Sequence, residues 1–203
     1  MHAFDRVAHI TYMPNRAQEK WGMLQVFTGN GKGKTTAALG TAVRAYATGK
    51  RVAILYFDKG GTHYSERALL DWLMTQPAPF GGALQYVATG LDRIDPQTGR
   101  FRFGVTPEDR EEADRGVALA MKFFSTNYDL VVLDEFNTAL GLEMIDAAAG
   151  RAVIDAKPAW VECIATGRTA PEWLIERADL VTDMGIGKHY FYHGEPARYG
   201  LDY

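Results

Sequence analysis

Met23-Leu24-Gln25-Val26-Phe27-Thr28-Gly29-Asn30-Gly31-Lys32-Gly33-Lys34-Thr35-Thr36 is the stretch on which the fold turns. Met23 to Thr28 reads as a strand and the glycine-rich residues after it as a tight turn. Lys34 to Thr48 reads as an alanine-rich helix, stopped by Gly49 just past its end. In that order, strand, turn and helix N-terminus gather successive backbone N–H groups around an anion, and the helix dipole adds favourable potential. Lys34 supplies a charge to a triphosphate, and Thr35 can present its hydroxyl to Mg²⁺. The first glycine of the usual phosphate-loop pattern falls on Thr28, while Gly33-Lys34-Thr35 is intact. The expected nucleotide-binding residues are Gly29, Asn30, Gly31, Lys32, Gly33, Lys34, Thr35 and Thr36.

A second segment supports the first. Leu130-Val131-Val132-Leu133-Asp134-Glu135 is a buried-type strand ending in two acids, like a Walker B segment. Ligands bind at the carboxyl ends of parallel strands, so these acids should face the phosphate loop. Thr35, Asp134 and Glu135 are the expected metal ligands, and their hard oxygens suit Mg²⁺ or Mn²⁺. Asp58-Lys59-Gly60-Gly61 and Thr166-Gly167-Arg168 end two further strands on that side, as plain turns or as phosphate contacts.

Strand-like and helix-like segments alternate along the chain. Strands are expected at 51–57, 84–88, 129–134, 160–166 and 180–184, and helices at 65–74, 106–125 and 138–149. Ser65 reads as a helix cap, and Thr106-Pro107-Glu108-Asp109 as a helix start with a Thr cap and Pro in first position. Thr169-Ala170-Pro171-Glu172 reads as a capping box for a short helix. Residues 90–105 read as a long loop, and 185–203 as an aromatic-rich tail. The pattern implies an α/β domain, with a mostly parallel sheet of about six strands between two helical layers. Residues 1–21 read as an N-terminal arm and 22–203 as the nucleotide-binding domain.

Composition narrows the partners. With 25 acidic and 22 basic residues the net charge is −3, so no basic excess suits nucleic acid. No apolar stretch is long enough to span a membrane, and the polar N-terminus is not a secretory signal. The single cysteine, Cys163, lies in an apolar run and reads as a core thiol in a reducing, cytoplasmic setting. His189 and His193 are four apart in an aromatic segment that does not suit a metal pair. Tyr190, Phe191, Tyr192, Tyr199 and Tyr203 could meet a flat ligand or pack on the protein itself.

Taken in order, these motifs resemble the P-loop corrinoid adenosyltransferases. The resemblance rests on Val26 to Ala38, Lys59-Gly60, Glu66-Arg67, Ala88-Thr89-Gly90, Leu133-Asp134-Glu135, Thr166-Gly167-Arg168 and Ala178-Asp179. It ends on Lys188-His189, Gly194 and Gly200-Leu201-Asp202-Tyr203. It implies a RecA-like P-loop NTPase fold, ATP as co-substrate and a Co(I) corrinoid as acceptor. The corrinoid would attack C5′ of an ATP reversed in its loop and expel triphosphate. Lys34, Glu135 and Arg168 are the implied catalytic residues. A homodimer with arms over the partner's site, and a flavin-based reductase supplying Co(I), are implied partners.

Three positions depart from the family pattern. Leu91 and Arg93 stand where an aromatic pair is expected beside the corrin, and Asp58 replaces an apolar residue. Residues 94–105 look rebuilt, with Phe101 and Phe103 as replacement aromatics that would share one face of an extended segment. The alternatives are an ordinary ATPase or small-molecule kinase, a nucleotide-gated regulatory or DNA-binding module, and a catalytically silent corrinoid carrier that binds ATP.

Overall fold

The computed structural model describes residues 22–95 and 97–203. The arm expected at 1–21 lies outside the described residues. Six strands form one sheet: β1 (Leu24–Thr28), β2 (Arg51–Tyr56), β3 (Ala83–Ala88), β4 (Leu130–Asp134), β5 (Glu162–Thr166) and β6 (Leu180–Asp183). Their order is β3-β2-β4-β5-β1-β6, and every pairing is parallel. The helices are α1 (Lys34–Ala47), α2 (Glu66–Thr75), α3 (Pro107–Phe124), α4 (Phe136–Gly141), α5 (Ala147–Asp155) and α6 (Glu172–Arg177).

The period of two along the strands divides the core between two faces. On β2, Val52, Ile54 and Tyr56 pack with Ala38, Ala42 and Tyr46 of α1 and Leu70 of α2. Ala53, Leu55 and the following Phe57 pack on the other side with Ala113, Ala120 and Phe123 of α3 and Val153 and Ile154 of α5. β4 alternates likewise, with Leu130 and Val132 on the first face and Val131 and Leu133 on the second. Burial on both faces is why these strands are continuously apolar. Cys163 belongs to the second core, and burial pushes its thiol up to about 12, so it is an inert packing residue.

Local chemistry sets the boundaries. Gly49, at φ 82°, turns the chain after α1. Thr106 and Asp109 form a reciprocal capping box at the start of α3. Three expectations are corrected. The helix expected over 138–149 is two helices, α4 and α5, with Asp146 capping α5 through the N–H groups of Ala148 and Ala149. Thr169 sits at φ 56° and caps nothing; α6 starts from Pro171 without a side-chain cap. Ser65 stands at the N-cap position of α2 but makes no side-chain cap, because its backbone is already helical (φ −65°, ψ −31°); its hydroxyl donates to the Tyr203 carbonyl at 2.7 Å instead.

Because all six strands run the same way, β1, β2, β4 and β5 end on one edge. Tyr56 lies level with Asp134, and Phe27 with Thr166. The phosphate loop, Lys59, the acids at 134–135 and Thr166-Gly167-Arg168 therefore leave the sheet side by side.

Candidate active site

The loop after β1 needs its glycines. Gly29 is at φ 93° and Gly33 at φ 122°, and a Cβ on Gly29 would lie 2.2 Å from Asp183 Oδ1. The Gly31 N–H donates to the Met184 carbonyl at 2.5 Å, tying the loop to the end of β6. Gly33 is the N-cap of α1, and that helix has neither a side-chain cap nor an acid in its first turn. Its first N–H groups are left for an anionic ligand.

Lys34 is buried, and its ammonium donates to the Gly29 and Gly31 carbonyls, both at 2.7 Å. Burial lowers its pKa, against the opposing field of Glu135. Lys32 reaches the other way. It donates to the Leu201 carbonyl and to Asp202 in the C-terminal tail. Asp202 also receives Tyr190 and the Arg198 backbone N–H, and Lys32 with these donors holds its carboxyl well below the usual range. The tail thus closes over the phosphate loop, an arrangement its aromatic composition did not disclose.

Asp134 is 1% exposed at the end of β4. Its Oδ1 accepts from the Thr166 hydroxyl at 2.6 Å. Its Oδ2 accepts from Lys59 Nζ at 2.5 Å and from the Thr35 hydroxyl at 3.3 Å. Glu135 is at φ 59°, a strained conformation that starts α4 directly from the strand end. Its backbone N–H donates to Thr166 Oγ1 at 3.1 Å, and its Oε2 accepts from Thr138 Oγ1 at 2.5 Å. Its Oε1 stands 3.9 Å from Lys59 Nζ. Burial alone would depress the Lys59 ammonium, but Asp134 and Glu135 outweigh it and hold the pKa above the ordinary lysine value. Among the described residues, no group of three or more His, Cys, Asp or Glu could hold a metal unaided.

Phosphate loop, Lys59, Glu135 and the exposed Arg168 line one cleft of about 490 Å³, closed on its far side by His189, Tyr190 and the tail from Gly200 to Tyr203. That size suits a small-molecule site. His189 accepts the Phe191 N–H and shapes the 3-10 turn over Tyr190–His193. Lys59 was legible as part of a strand-end segment on the ligand side and of the family resemblance, but its place against Thr35 and Asp134 depends on strands far apart in sequence.

Arg93, Asp58 and the rebuilt loop meet in space. Arg93, 6% exposed, donates from Nε to Asp58 at 2.7 Å, and from Nη1 to the Gly104 carbonyl at 2.6 Å. Arg102 forms a bidentate pair with buried Asp109 at 2.7 and 2.8 Å. An antiparallel bridge joins Ile94 to Phe101. The expected loop is therefore an anchored hairpin-like excursion. The Phe101 and Phe103 rings stand 5.0 Å apart, and the side chains are 49% and 85% exposed.

Comparison with known proteins agrees with this geometry. The family model described as ATP:corrinoid adenosyltransferase BtuR/CobO/CobP matches residues 20–203. A corrinoid adenosyltransferase of Escherichia coli K12 is 35% identical over 188 residues, covering 93% of this chain and 89% of that protein. One from Salmonella typhimurium is 34% identical over 194 residues, with the same two coverages. One from a Sinorhizobium species is 35% identical over 207 residues, covering 98% and 87%. A match across nearly the whole length, together with the family's motifs meeting in one cleft, makes this chain a member of the ATP:corrinoid adenosyltransferase family.

Proposed function

We infer that the protein transfers the 5′-deoxyadenosyl group of ATP to a Co(I) corrinoid and releases triphosphate, in cobalamin biosynthesis or salvage. The observation that carries this reading is the convergence of the family's separated motifs on one cleft, from the phosphate loop to Gly200–Tyr203. The electron pair of Co(I) forms the bond to C5′, the C5′–O bond breaks, and the triphosphate leaves with the bonding pair of that C5′–O bond. Co(I) is nucleophilic enough that no side chain has to act as its base. The chain's tasks are to align donor and acceptor and to stabilise the departing charge.

Residues Gly29 to Thr36 cradle the triphosphate with backbone N–H groups, Lys34 exchanges its loop carbonyls for phosphate oxygens, and Arg168 contacts the chain from the cleft mouth. The Thr35 hydroxyl and the Asp134 and Glu135 carboxylates are hard oxygen donors in one place, a set that fits Mg²⁺ or Mn²⁺ bound with the nucleotide. Such an ion would add positive charge against the triphosphate. Phe101 and Phe103 present an apolar face to the corrin ring and keep water from it.

We also propose a cytoplasmic homodimer, served by a flavin-based reductase. The resemblance, the ATP requirement and the free Cys163 thiol support it. The net charge of −3 favours no nucleic acid, and no helix among the described residues is long and apolar enough to cross a membrane.

Product analysis tests the function. The protein is incubated anaerobically with Mg-ATP and a chemically reduced corrinoid. Triphosphate and a light-sensitive cobalt–carbon product should form in equal amounts. ADP with no corrinoid adduct would move the protein to ordinary phosphotransfer.

A further inference from the structure

We propose that Lys59 is a built-in placeholder cation: its ammonium occupies the position among Thr35, Asp134 and Glu135 that a divalent ion would take, so the ion enters only together with the triphosphate. The proposal rests on the assignment of those three residues as metal ligands.

Three oxygens converge on the Lys59 Nζ. Asp134 Oδ2 is 2.5 Å away, Thr35 Oγ1 3.0 Å and Glu135 Oε1 3.9 Å. The side chain is 12% exposed and runs beside the rings of Tyr56 and Tyr64, with Nζ 5.5 and 5.7 Å from their centroids. Asp134 is almost fully buried, and its other oxygen is already used by Thr166. Without a cation on Oδ2, the fold would hold a buried, half-compensated carboxylate, a strongly destabilising arrangement.

An ion held by the Thr35 and Asp134 oxygens would compete with the ammonium for the same two atoms, so it must displace Lys59 from them. Without nucleotide, the Lys59 ammonium already neutralises the Asp134 carboxylate and stands beside Glu135. Little local charge is then left to attract a divalent ion, and the protein's own oxygens are too few to encircle one. An arriving triphosphate changes both conditions. It brings several negative charges and further oxygens, and it gives the Lys59 ammonium a phosphate to move onto.

The test uses Mn²⁺ as the probe, followed by electron paramagnetic resonance of the free ion, with the full chain and no corrinoid. Wild-type protein should bind Mn²⁺ weakly alone and at least about tenfold more tightly with ATP, with ATP affinity rising by the same factor when Mn²⁺ is present. Lys59→Met should bind Mn²⁺ without ATP at least about tenfold more tightly than wild type, and adding Asp134→Asn should abolish that gain. Lys59→Gln is the second variant if Lys59→Met does not fold. Tight Mn²⁺ binding by nucleotide-free wild type overturns the proposal, as does a folded Lys59 variant with no gain. Absence of any mutual effect of ATP and Mn²⁺ in wild type would instead overturn the metal assignment itself.

Discussion

Arg93→Met should destabilise the protein in a way that depends on Asp58 and on pH. Arg93 is nearly inaccessible and is the cation bonded to Asp58, whose side chain is 11% exposed. Methionine keeps the apolar stem and removes the guanidinium, leaving the carboxylate buried without its partner. Breaking a buried pair from one side costs about 3–5 kcal/mol. For a chain of this length each kcal/mol is worth roughly 2–4 °C, so Tm should fall by about 6–20 °C. Asp58→Asn should cost about 1–3 kcal/mol, the worth of a hydrogen bond to a charged group. Asparagine tolerates the backbone at φ 49° that this position requires. The double variant has no orphaned charge, so it should be about 1–3 kcal/mol more stable than the sum of the single losses.

Burial holds the Asp58 carboxyl above the usual range while Arg93 pulls it down. Without Arg93 the upward push of burial and Asp109 is opposed by Arg102, whose effect is the weakest of the set. A carboxyl raised in the fold contributes stability below its unfolded value, about 3.9, and loses it as pH climbs through the folded value. The deficit of Arg93→Met should therefore be smaller at pH 5 than at pH 8, and adding Asp58→Asn should remove that slope. Urea unfolding of all four proteins at both pH values measures it. Additivity within about 0.5 kcal/mol, or a deficit that does not change with pH, would refute the coupling.

Lys34→Ala should leave the fold intact and weaken ATP by roughly 10–100-fold, the worth of a charge-assisted contact, read as a lost thermal shift with Mg-ATP. Replacing Phe101 and Phe103 together by alanine should raise the corrinoid KM several-fold, about the loss of two apolar contacts, and leave the ATP Kd unchanged; a parallel loss of ATP binding would point to packing instead. Activity should disappear in EDTA and return with Mg²⁺ or Mn²⁺, and undiminished turnover in EDTA would remove the metal from the mechanism.

The sheet was legible because burial on both faces writes β2 and β4 as long apolar runs between helices. The phosphate loop was legible because its chemistry is local: a turn, a lysine and a helix start within a few residues. What escaped was either a break hidden by apolar residues or a contact across the fold. Met144 and Ile145 are buried in the turn between α4 and α5, so the hydrophobic pattern continues through the interruption, and only the cap at Asp146 signals it. Thr169 follows the capping-box pattern, yet its left-handed backbone prevents it from capping. Asp58 and Arg93 each look anomalous alone; as a pair they are one substitution of an ion pair for apolar packing, invisible until strand order brings residues 58 and 93 together.

The same long-range logic bears on how the site admits its nucleotide. Each lysine facing the cleft already has partners in the protein: Lys34 the Gly29 and Gly31 carbonyls, Lys32 Asp202, and Lys59 Asp134. On the proposed reading, a triphosphate gains little from new hydrogen bonds as such, because each one formed replaces one given up. Its gain lies in charge. Lys34 exchanges neutral carbonyls for ionised phosphate oxygens, and such bonds are roughly twice as strong. Lys32 and Lys59 exchange one anion for another, so their release is close to neutral for the lysine but takes a cation from Asp202 and from Asp134. The Arg198 guanidinium and the Tyr190 hydroxyl remain on Asp202, so its carboxylate stays paired. Asp134 is buried and has only the hydroxyls of Thr35 and Thr166 left, so it requires a new cation. A ligand that carries both negative charge for the lysines and a cation for Asp134 satisfies every group at once, which is why the cleft should prefer a metal–triphosphate complex to free phosphate or bare ATP.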